Sequence, residues 1–128
     1  SYIYALATAV LFQSPVQHFA LAPNNLTDAP EYAIDFMKQV PTRWDEVRYI
    51  DGYPGKYVIL ARRSGNRWYI AGVNAMNQPL KQTLSLPMLE PKIQVVLYMN
   101  GEKKMVKLSR KQTIDVEIPT NGGLVVVQ

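Results

Sequence analysis

The sequence predicts a mainly β protein, an antiparallel β-sandwich of about eight strands preceded by two helices. Three observations lead to this fold class. Beyond Pro41 the apolar residues change from helical to alternating spacing, short runs rich in β-branched and aromatic residues recur, and turn formers separate most of these runs. Because no helical pattern interrupts the runs, we expect antiparallel pairing.

The eight predicted strands are short and follow one another closely. In chain order they read VRYI, KYVILAR, RWYIAGV, TLSL, IQVVLYM, MVKL, TIDVEI and GLVVV. TIDVEI alternates most clearly, since Ile114, Val116 and Ile118 would point to one face and Asp115 and Glu117 to the other. The predicted turns lie at residues 52–55, 64–66, 100–101 and 121–123.

Two helices are predicted before Pro41. The first runs from Tyr2 to Phe12 and is apolar nearly all the way round, as in a helix buried on several sides. In the second, Asp28 would cap the first turn and Glu31 would complete a capping box. Pro41 ends it, because the residue before a proline avoids helical dihedral angles. Its predicted buried face consists of Ala33, Ile34, Phe36, Met37 and Val40.

Composition excludes several classes of site. The 128 residues suffice for one ordinary core and include no cysteine, which rules out disulfides and thiolate metal sites. The single histidine, His18, lies in the apolar stretch VQHFALA, so we expect it to pack rather than to bind metal. The start, SYIYALATAVLF, lacks the basic flank of a secretory signal, and no apolar run is long enough to span a membrane.

Charge divides at the same place as the hydrophobic pattern. Residues 1–41 hold one basic and three acidic groups, a net of −2, whereas residues 42–128 hold thirteen basic and seven acidic groups, a net of +6. A basic β-domain is compatible with nucleic-acid binding, but these charges are scattered over turns and strand ends. No aromatic RNA-binding motif accompanies them, so a solvated surface is the preferred interpretation.

The stretch RWDEVRYIDGYPGKYVILARR, residues 43–63, is dense in carboxylates, arginines and aromatic rings. Paired carboxylates would suit a glycosidase, but Asp45 and Glu46 are adjacent and would point to opposite faces of a strand. Asp45 and Asp51 would be about 20 Å apart on an unbroken strand, too far to flank one glycosidic bond. We therefore predict no catalytic residue and no metal site, and we interpret Trp44, Asp45, Glu46 and Arg48 as an interface seam between packed layers.

The run VPTRWDEVRYIDGYPGKYVILARRSGNRWYIAGVNA, residues 40–75, resembles the first strands of the C-terminal domain of glycoside hydrolase family 97. The preceding SYIYALATAVLFQSPVQHFA and PEYAIDFMKQVP resemble the last helices of that family's (β/α)8 barrel. The resemblance therefore implies two parts: residues 1–41 as the helical tail of a truncated barrel, and residues 42–128 as a C-terminal β-sandwich domain.

The family resemblance implies that the parent is an α-glucosidase or α-galactosidase that uses calcium near its active site. The catalytic and calcium-binding carboxylates of the family precede Ser1, so none is assigned to a residue here. The resemblance further implies that this region has no cofactor of its own, that it packs on the catalytic barrel, and that the parent is periplasmic or otherwise exported.

Two functional hypotheses of different class follow. The first is a non-catalytic accessory domain that packs on the barrel and mediates oligomerisation, without nucleic-acid or membrane-spanning partners. The second is a carbohydrate-binding module, which needs exposed aromatic side chains side by side, whereas an accessory domain buries Trp44 and Trp68. Without its barrel, the first helix is expected to leave an apolar patch exposed and to drive self-association.

Overall fold

The computed structural model describes residues 2–12 and 30–128, which form two helices and eight strands. The helices are α1 (Tyr2–Leu11) and α2 (Glu31–Gln39). The strands are β1 (Glu46–Tyr53), β2 (Tyr57–Ser64), β3 (Arg67–Asn74), β4 (Leu80–Ser85), β5 (Gln94–Met99), β6 (Glu102–Lys107), β7 (Thr113–Ile118) and β8 (Gly123–Val127). Each observed strand overlaps one of the predicted runs, and β4 and β6 begin three residues earlier than predicted.

The strands form two antiparallel sheets of very different size. Six of them pair in the order β1-β2-β3-β8-β5-β6, and the remaining two, β4 and β7, pair with each other. The prediction of a mainly β, antiparallel fold with about eight strands is confirmed. The strand order departs from the chain order where β8 lies between β3 and β5.

One hydrophobic core lies between the two sheets, and we call it the sandwich-side core. It is mostly aliphatic and consists of Ile59, Ala61, Trp68, Ile70, Leu84, Leu86, Leu89, Val95, Leu97, Leu108, Ile114, Val116, Ile118, Leu124 and Val126. The predicted inward-facing residues of TIDVEI all belong to this core. Alternation along β7 therefore turned its apolar face to the large sheet, as the pattern required.

A second core, the helix-side core, lies on the opposite face of the six-stranded sheet, under α1 and α2. Its buried members are Ile3, Leu6, Ala7, Val10, Leu11, Ala33, Phe36, Val40, Tyr69, Ala71, Tyr98, Val125 and Val127. Helix α1 packs on β3 and β8, where Gly123 allows a close approach: a Cβ there would lie 2.8 Å from the Tyr4 Cα atom. Both faces of β8 are thus covered, and all five of its residues are buried.

The expectation that α1 leaves its inner face exposed is wrong. The apolar face of α1 packs on β3 and β8, so the sheet of this chain covers it without a barrel. Exposed large apolar side chains on this helix and its end are limited to Tyr4 and Phe12. Among residues 2–12 and 30–128, a surface other than the apolar face of α1 would have to mediate self-association.

Helix α2 begins and ends close to the predicted residues. Pro30 occupies the N-cap position without a side-chain cap hydrogen bond, and Val40 is already extended, as expected before Pro41. Of its predicted buried face, Ala33, Phe36 and Val40 are buried, while Ile34 and Met37 are half-buried. The predictions for Asp28 and His18 fall outside the described residues.

Candidate domain interface

Trp44 lies between α2 and the first strand, and its ring packs on the helix-side core. The indole is half-buried and meets the Tyr69 ring edge-on, with centroids 5.3 Å apart. Phe36 of α2 meets Tyr69 and Tyr98 in the same T-shaped manner, at 6.4 and 5.4 Å. A continuous series of aromatic rings therefore connects α2 and Trp44 to β3 and β5, in geometries that add to simple burial.

The charged residues that follow Trp44 gather on the opposite face of the sheet. Glu46 accepts hydrogen bonds from the Nε atoms of Arg48 at 2.6 Å and Arg63 at 3.2 Å. The Arg48 guanidinium in turn lies 4.9 Å from the ring centroid of Trp68, which is buried. Trp44 precedes β1, so strand alternation does not relate its face to that of Glu46 and Arg48. Its contacts place it on the helix side of the sheet, whereas Arg48 lies beside Trp68 on the sandwich side.

Asp45 connects this group to the turn between β2 and β3. Its Oδ2 atom accepts a hydrogen bond from the Gly65 backbone N–H at 2.8 Å, and the Arg63 Nη1 atom lies 3.9 Å from the same oxygen. Asp45 precedes β1, so strict alternation does not apply to it, and Arg63 faces both adjacent carboxylates. Asp45 and Glu46 thus approach the same guanidinium group, contrary to the prediction that they point to opposite faces of a strand.

The environment of Glu46 does not suit a general acid. Hydrogen bonds from Arg48 and Arg63 lower the pKa of Glu46, whereas a glycosidase acid needs a raised pKa. The Glu46 carboxylate is thus held ionised by two guanidinium groups. Among residues 2–12 and 30–128, no three histidine or carboxylate side chains lie close enough together to hold a metal ion.

Sequence reasoning missed a polar cluster that ties the two sheets together. The Oδ2 atom of Asp51 in β1 accepts hydrogen bonds from the Tyr57 hydroxyl at 3.0 Å and from Gln82 Nε2 of β4 at 2.9 Å. The bond from Gln82 is the largest cause that lowers the pKa of Asp51. Gln82 carried no signal in the sequence, because only the packing of the small sheet brings it to β1.

Exposed tyrosines lie near the turn between β1 and β2. Tyr49 and Tyr53 are 64% and 61% exposed, and Tyr53 meets Tyr57 edge-on at 5.8 Å. They border a shallow, mainly apolar groove of about 520 Å³. Trp68 is buried, as the accessory-domain hypothesis requires, whereas Trp44 is only half-buried. The exposed aromatic side chains beside this groove are tyrosines.

Neither of the described helices is long and apolar enough to cross a membrane. The molecule defined by this geometry is a β-sandwich with a helical layer, in which Asp45 and Glu46 are paired with arginines and the tryptophans serve packing. That is the class of a non-catalytic accessory domain.

The sequence profile of the family described as "Glycosyl-hydrolase 97 C-terminal, oligomerisation" matches residues 43–127. This match covers well over half of the chain, and the chain therefore belongs to that family. The resemblance found in residues 40–75 is confirmed. The family comprises non-catalytic C-terminal domains, in agreement with the paired state of the carboxylates.

Two curated relatives carry galactosidase names. The chain is 41% identical over 70 residues to a probable retaining alpha-galactosidase of Streptomyces bingchenggensis and 40% identical over 68 residues to a retaining alpha-galactosidase of Bacteroides thetaiotaomicron. These matches cover 55% and 53% of this chain. They span only 11% and 10% of the relatives, so the chain corresponds to a small part of each.

Solved structures extend the similarity to the helices. A beta-arabinopyranosidase is 50% identical, with a TM-score of 0.87 over 98% of this chain and 21% of that protein. A glycoside hydrolase family 97 enzyme from Pseudoalteromonas sp. strain K8, solved with panose, is 22% identical, with a TM-score of 0.67 over 82% of this chain and 19% of its own. The second likeness concerns the fold alone.

Proposed function

We propose that this chain is the C-terminal part of an exported glycoside hydrolase, in which it packs on the catalytic barrel and holds subunits together. The observation that carries the proposal is the helix-side core, in which α1 and α2 are joined to the sandwich by buried side chains and aromatic ring contacts. A barrel that continues into α1 and α2 would be fixed rigidly to the sheet. Residues 1–41 are the tail of that barrel in this proposal.

Trp44, Asp45, Glu46 and Arg48 form the seam of the proposed arrangement. Trp44 secures the chain as it leaves α2, and Glu46 with Arg48 covers Trp68 on the other face. Their role is to fix the orientation of the domain. Calcium, implied for the parent by the family resemblance, would bind in the catalytic part of the parent and not in this region.

The names of the relatives favour α-galactoside-like substrates over α-glucosides. Two are named as alpha-galactosidases and one as a beta-arabinopyranosidase, so we propose that the parent cleaves α-galactosides or β-arabinopyranosides rather than α-glucosides. An α-D-galactopyranoside and a β-L-arabinopyranoside have the same ring configuration and differ by one hydroxymethyl group. One active site can therefore accept both sugars.

The test compares the whole parent with the present chain. The parent should hydrolyse aryl α-galactosides or β-L-arabinopyranosides and lose activity on calcium removal, whereas residues 1–128 should show no turnover above a mock-purified control. Deleting residues 42–128 from the parent should lower its oligomeric state in sedimentation experiments. An unchanged oligomeric state in the truncated parent would contradict the oligomerisation role.

Carbohydrate binding remains a second candidate because Tyr49 and Tyr53 are exposed beside an apolar groove. Stacking of sugar rings on such side chains would retard the chain in affinity electrophoresis through a soluble glucan or galactan. A Tyr53→Ala variant would then migrate faster than the wild type in the polysaccharide gel. Equal mobility of both proteins in gels with and without polysaccharide would remove this candidate.

A further inference from the structure

The two edge strands of the large sheet differ in how their free edges are protected. Among the described strands, β1 pairs only with β2 and β6 only with β5. Strand β6 carries Lys103, Lys104 and Lys107, and lysines on an edge strand oppose pairing with another sheet. Strand β1, EVRYIDGY, has neither lysine nor proline, and its one irregularity in pairing with β2 lies between Tyr49 and Asp51, which leaves Glu46–Tyr49 regular. Its free edge is therefore open to an additional strand.

Strand β1 also carries exposed apolar side chains. Val47 and Tyr49 are 52% and 64% exposed, and they lie opposite Arg62 and Leu60 of β2, on the sheet face that also carries the helices. Helix α1 covers β3 and β8 and leaves this strip open. Exposed apolar residues on an unprotected edge are typical of a surface that is covered in the assembled protein.

The sequence of β1 is complementary to itself. If two copies of β1 pair antiparallel about Val47, then Glu46 of each copy lies opposite Arg48 of the other, and Val47 lies opposite Val47. Opposite charges directly across a sheet stabilise the pairing, and like charges destabilise it. Pairing about Arg48 would oppose two arginines and pairing about Glu46 two glutamates, so the charges favour the register centred on Val47 over these neighbouring registers.

We propose that the free edge of β1 is the oligomerisation surface and that its partner is β1 of a second copy, in a two-fold dimer centred on Val47. The inference rests on the proposed oligomerisation role and names its surface. It joins two six-stranded sheets into one continuous sheet through main-chain hydrogen bonds, the mode by which an added strand is recognised at a sheet edge. The same surface serves both copies, as a two-fold axis requires.

Sheet twist makes this dimer compatible with a large preceding domain on each copy. In the joined sheet, β3 and its copy would lie five positions apart, and β8 and its copy seven. Because adjacent strands rotate by roughly 20–25°, the strands beneath the two helical layers would differ in direction by about 100–175°. The helix-side faces of the two copies consequently point in different directions. Two barrels attached through α1 and α2 would diverge from the continuous sheet instead of colliding above it.

A single introduced cysteine tests both the surface and the register, because the chain contains no cysteine. Directly opposed residues of antiparallel strands have Cα atoms about 4.5–5.5 Å apart, within the range that a disulfide bridges. Under mild oxidation, Val47→Cys should therefore form a disulfide-linked dimer. The matched control is Met105→Cys on β6, an apolar residue of similar exposure at 56%, which should remain monomeric on a non-reducing gel.

Charge substitutions give a second, equilibrium readout. Val47→Lys should raise the dimer dissociation constant by about tenfold or more, since two ammonium groups would face each other, whereas Met105→Lys should leave it unchanged. Circular dichroism melting of each variant separates weakened association from unfolding. The dissociation constants are measured by sedimentation velocity over a concentration series of residues 1–128.

Each remaining outcome overturns the inference in a recognisable way. If the chain dimerises but neither Val47 variant changes the dimer, another surface mediates oligomerisation, and only this inference fails. If the chain is monomeric at every concentration and the whole parent is monomeric as well, the oligomerisation role fails with it. Hydrogen exchange gives a further outcome that contradicts the inference. If the backbone amides of β1 are protected in a monomeric parent but not in residues 1–128, the preceding domain, and not a second copy, covers this strand.

Discussion

The two faces of the six-stranded sheet are covered by layers of different chemistry. The sandwich-side core is mostly aliphatic and comes entirely from residues beyond Pro41. The helix-side core contains Phe36, Tyr69 and Tyr98 and is completed by α1 and α2, which precede Pro41. One core is therefore internal to the β-domain, while the other requires the segment that the family resemblance assigns to the barrel.

The strongest test of this difference is removal of residues 1–41. The truncation would expose Tyr69, Tyr98 and Val125, which are almost fully buried, and would remove one complete layer. We expect a loss comparable to the whole stability of a small domain, about 5–15 kcal/mol, and aggregation on expression. A soluble fragment that unfolds cooperatively in urea at the wild-type midpoint would show that the helix-side core contributes little.

Two neighbouring valines compare the cores within one strand. Val125 faces the helices and Val126 faces the small sheet, and both are fully buried. In residues 1–128, Val125→Ala and Val126→Ala should each lower the free energy of unfolding by about 2–3 kcal/mol, because each removes buried methyl groups and leaves a cavity. Urea denaturation measures both losses. A loss confined to Val126→Ala would mean that the helix layer is loosely packed.

Trp44 tests the outer margin of the helix-side core. Because its indole is half-buried, Trp44→Ala should cost about 1–3 kcal/mol, less than the 3–5 kcal/mol of a fully buried aromatic ring. Trp44→Phe preserves a ring against Tyr69 and serves as the control. Equal losses in the two variants would indicate that contacts specific to the indole, rather than the aromatic edge, hold this segment.

Asp51 tests the polar link between the sheets through its pH dependence. Its pKa is lowered in the folded state, chiefly by the hydrogen bond from Gln82, so the stabilisation is present above the unfolded pKa of about 3.9. This stabilisation is lost as the pH falls through the lower folded value. Asp51→Asn should therefore be less stable than wild type at about pH 7, and the difference should shrink at about pH 3. A constant difference in urea denaturation would contradict this.

The smallest expected effect concerns catalysis. Asp45→Asn and Glu46→Gln in the whole parent should leave turnover within about tenfold of wild type, because both carboxylates are engaged with Arg63 and catalytic carboxylates contribute far more. Steady-state kinetics with an aryl glycoside measure the effect. If turnover fell by several orders of magnitude in a variant with an unchanged circular dichroism spectrum, these carboxylates would belong to the active site.

Local pattern predicted the elements well and their arrangement poorly. Alternation along TIDVEI and the turn formers at Asn100–Gly101 were sufficient to place strands, since both act over a few residues. The pairing of β8 between β3 and β5 depends on contacts distant in sequence, and no local signal encodes it. The exposed patch predicted on α1 failed for the same reason, because the sheet that covers it lies far along the chain.

The candidate site was predictable in composition but not in its partners. The sequence singled out one group of residues at the start of β1: Trp44, Asp45, Glu46 and Arg48. In the structure they lie where the chain enters the large sheet, on both of its faces. Arg48 stacks on Trp68, twenty residues away, and Asp51 meets Gln82 across two sheets. Such contacts follow from the tertiary packing, so the sequence could name one member of each pair and not the other. The role of these residues as a domain seam stays a prediction.

The adjacent arginines of β2 show why a basic dipeptide need not signal an anionic ligand. Arg62 donates from Nη2 to the Leu11 carbonyl at 3.0 Å, at the end of α1, where a cation is favourable for the helix dipole. Arg63 turns to the other face and engages Glu46. The two consecutive arginines thus bind groups on opposite faces of the sheet and connect α1 on one side to β1 on the other. Net charge alone would count both as available for an anionic ligand, although both already have partners within the chain.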